Sequence, residues 1–179
     1  MEGATQFHAT ITPDHARQWA TKFLEAWNSR DPERLLGLAT EDVVWEDPFI
    51  QGGSLRGKAA LRDWLSSTWR AMPDLRFELV GEPFISLDGT QLAAAWKGVG
   101  RFTGPLDPPG FAPTNGVIEM TGVDIHELDG ELVKRVQTQT DAMDVGRQIG
   151  AAPAPGSGGE RFGVLMQRLL ARRMRGKAK

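Results

Sequence analysis

Three aspartates carry most of the chemistry this sequence could perform. Asp47 ends the run Val43-Val44-Trp45-Glu46-Asp47, whose alternation places Val43, Trp45 and Asp47 on one strand face. A carboxylate at the end of an apolar face is desolvated, which raises its pKa and makes it a usable base near neutral pH. The same Asp47-Pro48 pair also reads as a strand end that caps a turn. Asp124 lies mid-strand, with Ile118, Met120, Gly122 and Leu128 on its face and His126 beside it. A lone buried charge is too costly, so Asp124 must be paired, protonated or facing a cavity, and Gly122 leaves space next to it. A structural Asp124–His126 pair or a solvent-facing strand are the alternatives. Asp141 closes the last strand, near Asp144, and either reaches a pocket mouth or caps the turn over 142–150.

Other chemistries lack their residues. The chain has no cysteine, which excludes disulfides, thiolate catalysis and Cys-based zinc sites. It has no tyrosine, so no phenol can donate a proton. His8, His15 and His126 are too scattered to bind a metal together. Neither a phosphate-binding glycine loop nor a nucleophile elbow is present. The expectation is acid–base work by carboxylates, with neither metal nor cofactor. Enolate chemistry needs only a desolvated base and a hydrogen-bond donor at the oxyanion.

The elements that position these groups follow from periodicity. Thr12-Pro13-Asp14 starts a helix along which Trp19, Ala20, Phe23, Leu24 and Trp27 form an apolar stripe. Asp31-Pro32 starts a second, short helix, and a third runs from Gly57 to about Ala71. Beyond Pro73 the pattern changes to strands: 75–80, 92–102, 117–128 and, after a turn at Asp129-Gly130, 132–141. Three helices followed by antiparallel strands predict an α+β fold, a curved sheet wrapped around the helices. The Pro- and Gly-rich stretch 103–116 predicts a lid or binding loop, with a plain surface connection as the alternative.

Composition is that of an ordinary globular chain, 40% hydrophobic and 25% charged. No apolar run is long enough to span a membrane, and the N-terminus does not read as a signal peptide. Together with the lack of cysteine this suggests a cytoplasmic protein. The net charge of −2 hides an asymmetry: residues 160–179 hold seven basic residues and one acid, and the rest 14 basic and 22 acidic. An acidic body argues against nucleic-acid binding. The expected organisation is a domain over 1–150, a linker over 151–159 and a basic amphipathic tail helix over 160–179. The tail stripe Phe162, Leu165, Met166, Leu169 and Leu170 should be buried against protein, with an anionic membrane as the lesser alternative.

The residues carry a family resemblance. The stretch Asp42–Gly57 (DVVWEDPFIQGGSLRG), followed by a helix, resembles the segment of ketosteroid isomerases in which an Asp-Pro pair carries the general base, and Asp47 falls on that aspartate. Gly122-Val123-Asp124-Ile125 resembles the strand of the second isomerase aspartate, which stays protonated and hydrogen-bonds the substrate oxyanion. Phe23 stands at the place of that family's helix tyrosine, so one oxyanion donor has no counterpart. The second half is similar to SnoaL-like polyketide cyclases: Phe102–Gly104 (FTG), a Pro-rich loop, Pro113-Thr114, 122–125, Asp129-Gly130, and Asp141 through Arg147-Gln148-Ile149-Gly150. This second likeness implies that Asp141 lies near the cyclase acid/base, although the stretch from Gly130 to Asp141 is one residue longer than usual.

Together the resemblances cover roughly residues 12–150. They imply the cone of the nuclear transport factor 2-like superfamily, a small hydrophobic ligand and a homodimer formed through the outer sheet face. They also imply a catalytic set of Asp47, Asp124 and Asp141, with Phe23, Trp45, Met120 and His126 against the substrate. The function so implied is an isomerase or cyclase acting on a hydrophobic carbonyl compound. The alternative is a non-catalytic small-molecule-binding or protein-interaction domain of the same fold.

Overall fold

The computed structural model of the chain describes residues 10–177; His8 and the tail end 178–179 lie outside the described residues. Helix α1 (Pro13–Ser29) starts where its caps dictate: the Thr12 hydroxyl accepts the His15 N–H at 3.2 Å and Pro13 takes a first-turn position. It buries Trp19, Phe23 and Trp27 along one stripe. Asp31 caps α2 (Pro32–Leu36) by accepting the Glu33 N–H at 3.0 Å. Helix α3 (Lys58–Ala71) buries Leu61, Leu65 and Trp69. All three pack on the inner face of one sheet, in a core that includes Val43, Trp45, Leu92, Val133 and Val136.

The strands are β1 (Ala39–Glu46), β2 (Ser54–Arg56), β3 (Arg76–Leu79), β4 (Phe84–Ile85), β5 (Gln91–Arg101), β6 (Val117–Asp129) and β7 (Leu132–Thr140). The sheet order is β2-β1-β7-β6-β5-β3, with β4 also pairing β5. One pairing corrects the expectation of a purely antiparallel sheet: β1 runs parallel to β7. Parallel neighbours need a long crossover, and here everything between β1 and β7 supplies it. Strands β2 and β4, three and two residues long, are too short to show a period in the sequence.

A bulge fixes the register at the heart of the sheet. Val133 pairs with Leu128 and Arg135 with Glu127, which leaves Lys134 without a partner. Beyond the bulge Val136 and Thr138 are buried on the inner face, whereas Asp141 is exposed.

The 103–116 segment is tied down over the end of α3. The N–H groups of Thr103 and Gly104 both donate to the Ala71 carbonyl at 3.0 Å, and the Ser67 hydroxyl donates to the Asp107 carbonyl at 2.6 Å. Gly104 is required there, because a Cβ would sit 2.1 Å from the Arg70 carbonyl oxygen. A second apolar cluster, Phe102, Ile118, Ala71 and Val145, forms under this loop.

The last two helices are α4 (Ala142–Gln148) and α5 (Gly158–Lys177). Helix α5 appears where the tail pattern predicts it, but its stripe does not pack on the rest of the chain. Phe162 is 63% exposed, Leu165 54% and Leu170 55%. Burial against the chain's own body, one of the protein surfaces expected for the stripe, is not found: these apolar side chains stay exposed. Among the described residues no helix is long and apolar enough to cross a membrane. Deleting residues 156–179 should accordingly shift the thermal midpoint by less than about 2 °C, that is, by well under 1 kcal/mol. Calorimetry of the full and shortened chains checks this, and a clear fall in the midpoint would mean that the stripe is covered in solution.

Candidate active site

Between the helices and the inner face of the sheet lies a cavity of about 1040 Å³, roomy for a small-molecule site. Its walls are mainly aromatic and aliphatic, with Trp27, Trp45, Trp64, Phe77, Phe102 and Met120 among them. Leu106, Pro108, Pro109 and Phe111 of the 103–116 loop also line it. Ala151 and Ala152 also line it, so the wall extends two residues into the stretch read as linker.

Asp47 and Asp124 enter this cavity from different strands, and the sheet register explains how they meet. Glu46 pairs with Gln137 across the parallel β1–β7 ladder, which puts Asp47 beside Thr138. Thr138 in turn pairs with Asp124 across β7–β6. Asp47, Thr138 and Asp124 thus form one row across three strands, all inward, spanning roughly 10 Å at two strand spacings of about 4.8 Å. All three are buried, Asp47 at 8% exposure and Asp124 at 6%.

Burial governs their protonation. Desolvation pushes Asp47 up to about 6, opposed by the Phe49 N–H and the Thr138 hydroxyl. Desolvation pushes Asp124 up to about 7, opposed by Thr138 and the Trp96 indole and assisted by the charge of Asp47. The Trp96 N–H is near enough to favour the Asp124 carboxylate but makes no hydrogen bond with it: Trp96 Nε1 and Asp124 Oδ1 are both buried without a partner. Asp47 both ends its strand in a turn and faces the cavity. Its Oδ1 accepts the Phe49 N–H at 2.7 Å, capping the turn, while the residue lines the cavity. Its neighbour Glu46 faces outward, where Gln137 and Arg135 hold its carboxyl below the usual range.

Trp45 and Met120 line the cavity as expected from their parity. Three other candidates do not. Phe23 lies behind the wall, stacked on Trp45 with ring centroids 5.8 Å apart, so it supports the lining without forming it. His126 is deeper in the core: the Trp19 indole donates to its Nδ1 at 3.1 Å, and burial pushes its pKa down to about 3. A nitrogen accepting from an indole carries no proton, so this histidine is a neutral group of the core, outside the cavity lining. Asp141 is exposed and caps α4 by accepting the Asp144 N–H at 2.9 Å. Thr140 takes the inward position at that end of β7, which turns Asp141 to the outside.

Thr138 and Trp96 were missed by sequence reasoning. Thr138 has the inward parity only after the Lys134 bulge, which a strict two-residue alternation does not reveal. Trp96 sits at the register position opposite Gly122. The space noted beside Gly122 is filled by its indole: a Cβ there would lie 2.4 Å from Trp96 Cζ2.

A curved, mostly antiparallel sheet closed around helices to leave an inner cavity defines the cone of the nuclear transport factor 2-like class. Within that class, a family model described as a SnoaL-like domain matches residues 20–136, and the chain belongs to this family. No curated protein matches the chain in sequence. Solved structures similar in fold include a candidate polyketide cyclase from Pseudomonas putida KT2440 (19% identity, 74% of this chain and 96% of that one, TM-score 0.63). Another is TsrD from Streptomyces laurentii (21% identity, 79% and 98%, TM-score 0.64). A protein of ketosteroid isomerase-like fold from Catenulispora acidiphila is also similar (18% identity, 78% and 97%, TM-score 0.62). At these identities the likeness shows the fold.

The raised carboxyls make stability depend on pH in a definite sense. The folded state holds the Asp124 proton more tightly than the unfolded state, so this group removes stability as pH rises from about 4, its unfolded value, to about 7. Asp124→Asn removes that dependence. Relative to wild type the variant should gain stability across this window, by a difference on the order of 4 kcal/mol. Urea unfolding at pH 4 and pH 8 measures it; a wild-type-minus-variant difference that is flat with pH would contradict the raised value.

Proposed function

We propose that the cavity binds a small hydrophobic carbonyl compound and moves a proton at the carbon next to the carbonyl, as an isomerase or cyclase does. The observation that carries this reading is that two buried carboxyl groups, Asp47 and Asp124, share one apolar cavity with their pKa values brought close to neutrality. Asp47, the more acidic, is the base that accepts the α-proton. Asp124, protonated, donates to the carbonyl oxygen as negative charge develops there. Returning the proton from Asp47 to a different carbon completes an isomerisation; in a cyclisation the enolate carbon attacks a second carbonyl, and the alkoxide so formed takes the proton back from Asp47. The reaction balances on these groups and the substrate alone. Thr138, set between the two carboxyls, orients them.

The exposed valines of the outer sheet face, Val99, Val117 and Val123, support a homodimer formed through that face. The second reading, a binding domain without chemistry, is favoured by the outward turn of Asp141 and the lack of tyrosine.

Exchange of solvent deuterium into the α position of 2-tetralone, a fused-ring ketone, separates the two. The proposed enzyme should catalyse exchange with a bell-shaped pH profile. The rate rises as Asp47 ionises near pH 6 and falls as Asp124 loses its proton near pH 7. Asp47→Asn should lower it by roughly 10²–10⁴-fold. Binding of the ketone with equal, background exchange in wild type and variant would establish the non-catalytic reading instead.

A further inference from the structure

Helix α5 starts on its own local signals. The Ser157 hydroxyl accepts the Glu160 N–H at 3.2 Å, and the Glu160 carboxylate accepts the Gly156 N–H at 2.6 Å. This cap occupies the one acid of the segment 160–179, whose other charges are seven basic residues. Along the helix Phe162, Leu165, Met166, Leu169, Leu170 and Met174 recur at helical spacing and, at 3.6 residues per turn, cover about half of the circumference. Arg161, Arg168, Arg172 and Arg175 form a row beside that half, and Arg173 lies within it, near the helix end. The six apolar side chains are between 42% and 74% exposed. Among the described residues none of the five arginines forms an ion pair.

A helix of this length draws most of its stability from the surface its apolar face meets. That surface must accept a continuous apolar stripe and, beside it, a row of positive charge. The chain's own body is acidic and is tethered to α5 by the short stretch 149–157, which keeps its effective concentration high. The stripe nevertheless stays uncovered, so opposite charge alone does not seat it there. A second copy offers a body of the same composition without the tether. Nucleic acid would engage the arginines and leave the stripe in water. An anionic lipid bilayer meets both requirements at once. A helix lying in its surface sinks the apolar side chains to the acyl boundary, and the arginines beside them reach the headgroups along their flexible stems. Arg173 reaches the same level by bending its stem outward past the stripe. The helix is not apolar enough to cross a membrane, so it lies on one.

We propose that α5 is a membrane-docking helix, which holds the protein on bilayers rich in anionic lipid through the stripe from Phe162 to Met174 and the arginine row beside it. The inference is independent of the chemistry proposed for the cavity. The negative charge of the body does not prevent docking: at physiological salt repulsion is screened within about 8 Å, and the linker lets the body stand off.

The test is cosedimentation of the full chain with vesicles of phosphatidylcholine alone or with about 30% phosphatidylserine. The full chain should sediment with the anionic vesicles and hardly with the neutral ones, and raising salt from about 0.1 M to about 0.5 M should release it. The chain lacking residues 156–179 should stay in solution. Arg161→Gln, Arg168→Gln and Arg172→Gln together should weaken partitioning about 100-fold, close to fivefold for each charge. Leu165→Gln with Leu169→Gln should weaken it at least about tenfold, with the thermal midpoint unchanged because both side chains are exposed. Sedimentation with anionic vesicles no greater than with neutral ones would overturn the proposal. So would equal binding by the full and shortened chains, which would place the contact on the body. A leucine variant that binds like wild type would reduce the contact to surface charge and overturn the docked stripe. Tail-dependent self-association, or binding of a short DNA duplex, in place of vesicle binding would assign α5 to a second copy or to nucleic acid instead.

Discussion

Two buried carboxyl groups lining one apolar cavity cannot both be ionised without large cost, and the architecture around Asp47 and Asp124 is organised by that constraint. Their row, Asp47–Thr138–Asp124, spans three strands that are far apart in sequence. Only the parallel pairing of β1 with β7 puts Asp47 beside Thr138. A hydroxyl between two carboxyls can donate to one and accept from the other when that one is protonated, so Thr138 suits a state in which a single proton is shared out unequally.

The burial that raises both groups is built from elsewhere in the chain. Helices α1 and α3 supply Trp27 and Trp64, and the 103–116 loop adds Leu106, Pro108 and Phe111 to the lining. That loop is held by the N–H groups of Thr103 and Gly104 on the Ala71 carbonyl and by Ser67 on Asp107. Glu46 shows what happens one residue away, on the other face of the same strand: hydrogen bonds from Gln137 and Arg135 lower its pKa where burial raises that of Asp47. The direction of each shift therefore follows strand parity, and in β7 the Lys134 bulge resets that parity, so that Arg135 and Gln137 share the outer face with Glu46 while Thr138 turns inward.

Much of this was legible in the sequence. The helix starts at Thr12-Pro13 and Asp31-Pro32 and the alternation through Val43, Trp45 and Asp47 are local signals, and local physics determines them. The inward set of β6, from Ile118 through Asp124, was equally readable because it alternates without interruption up to its buried members. What was not legible depends on partners distant in sequence. The parallel β1–β7 pair, the bulge that turns Thr138 inward and Asp141 outward, and the filling of the Gly122 space by Trp96 are tertiary facts. Phe23 and His126 have the right parity and the wrong depth: they form the layer that supports the wall. Helix α5 shows the converse limit, since its period predicts a helix but leaves open whether anything covers the stripe.

The central claim is that Asp47 and Asp124 are desolvated together in one cavity and titrate as a linked pair near neutrality. Carbon-13 NMR titration of the side-chain carboxyl carbons, assigned by Asp47→Asn and Asp124→Asn, observes this directly. The account predicts two carboxyls titrating near pH 6 and pH 7, with the Asp124 midpoint falling when Asp47 is made neutral, because the charge of Asp47 helps to raise it. Two aspartates that titrate independently near the ordinary value of about 4 would contradict it.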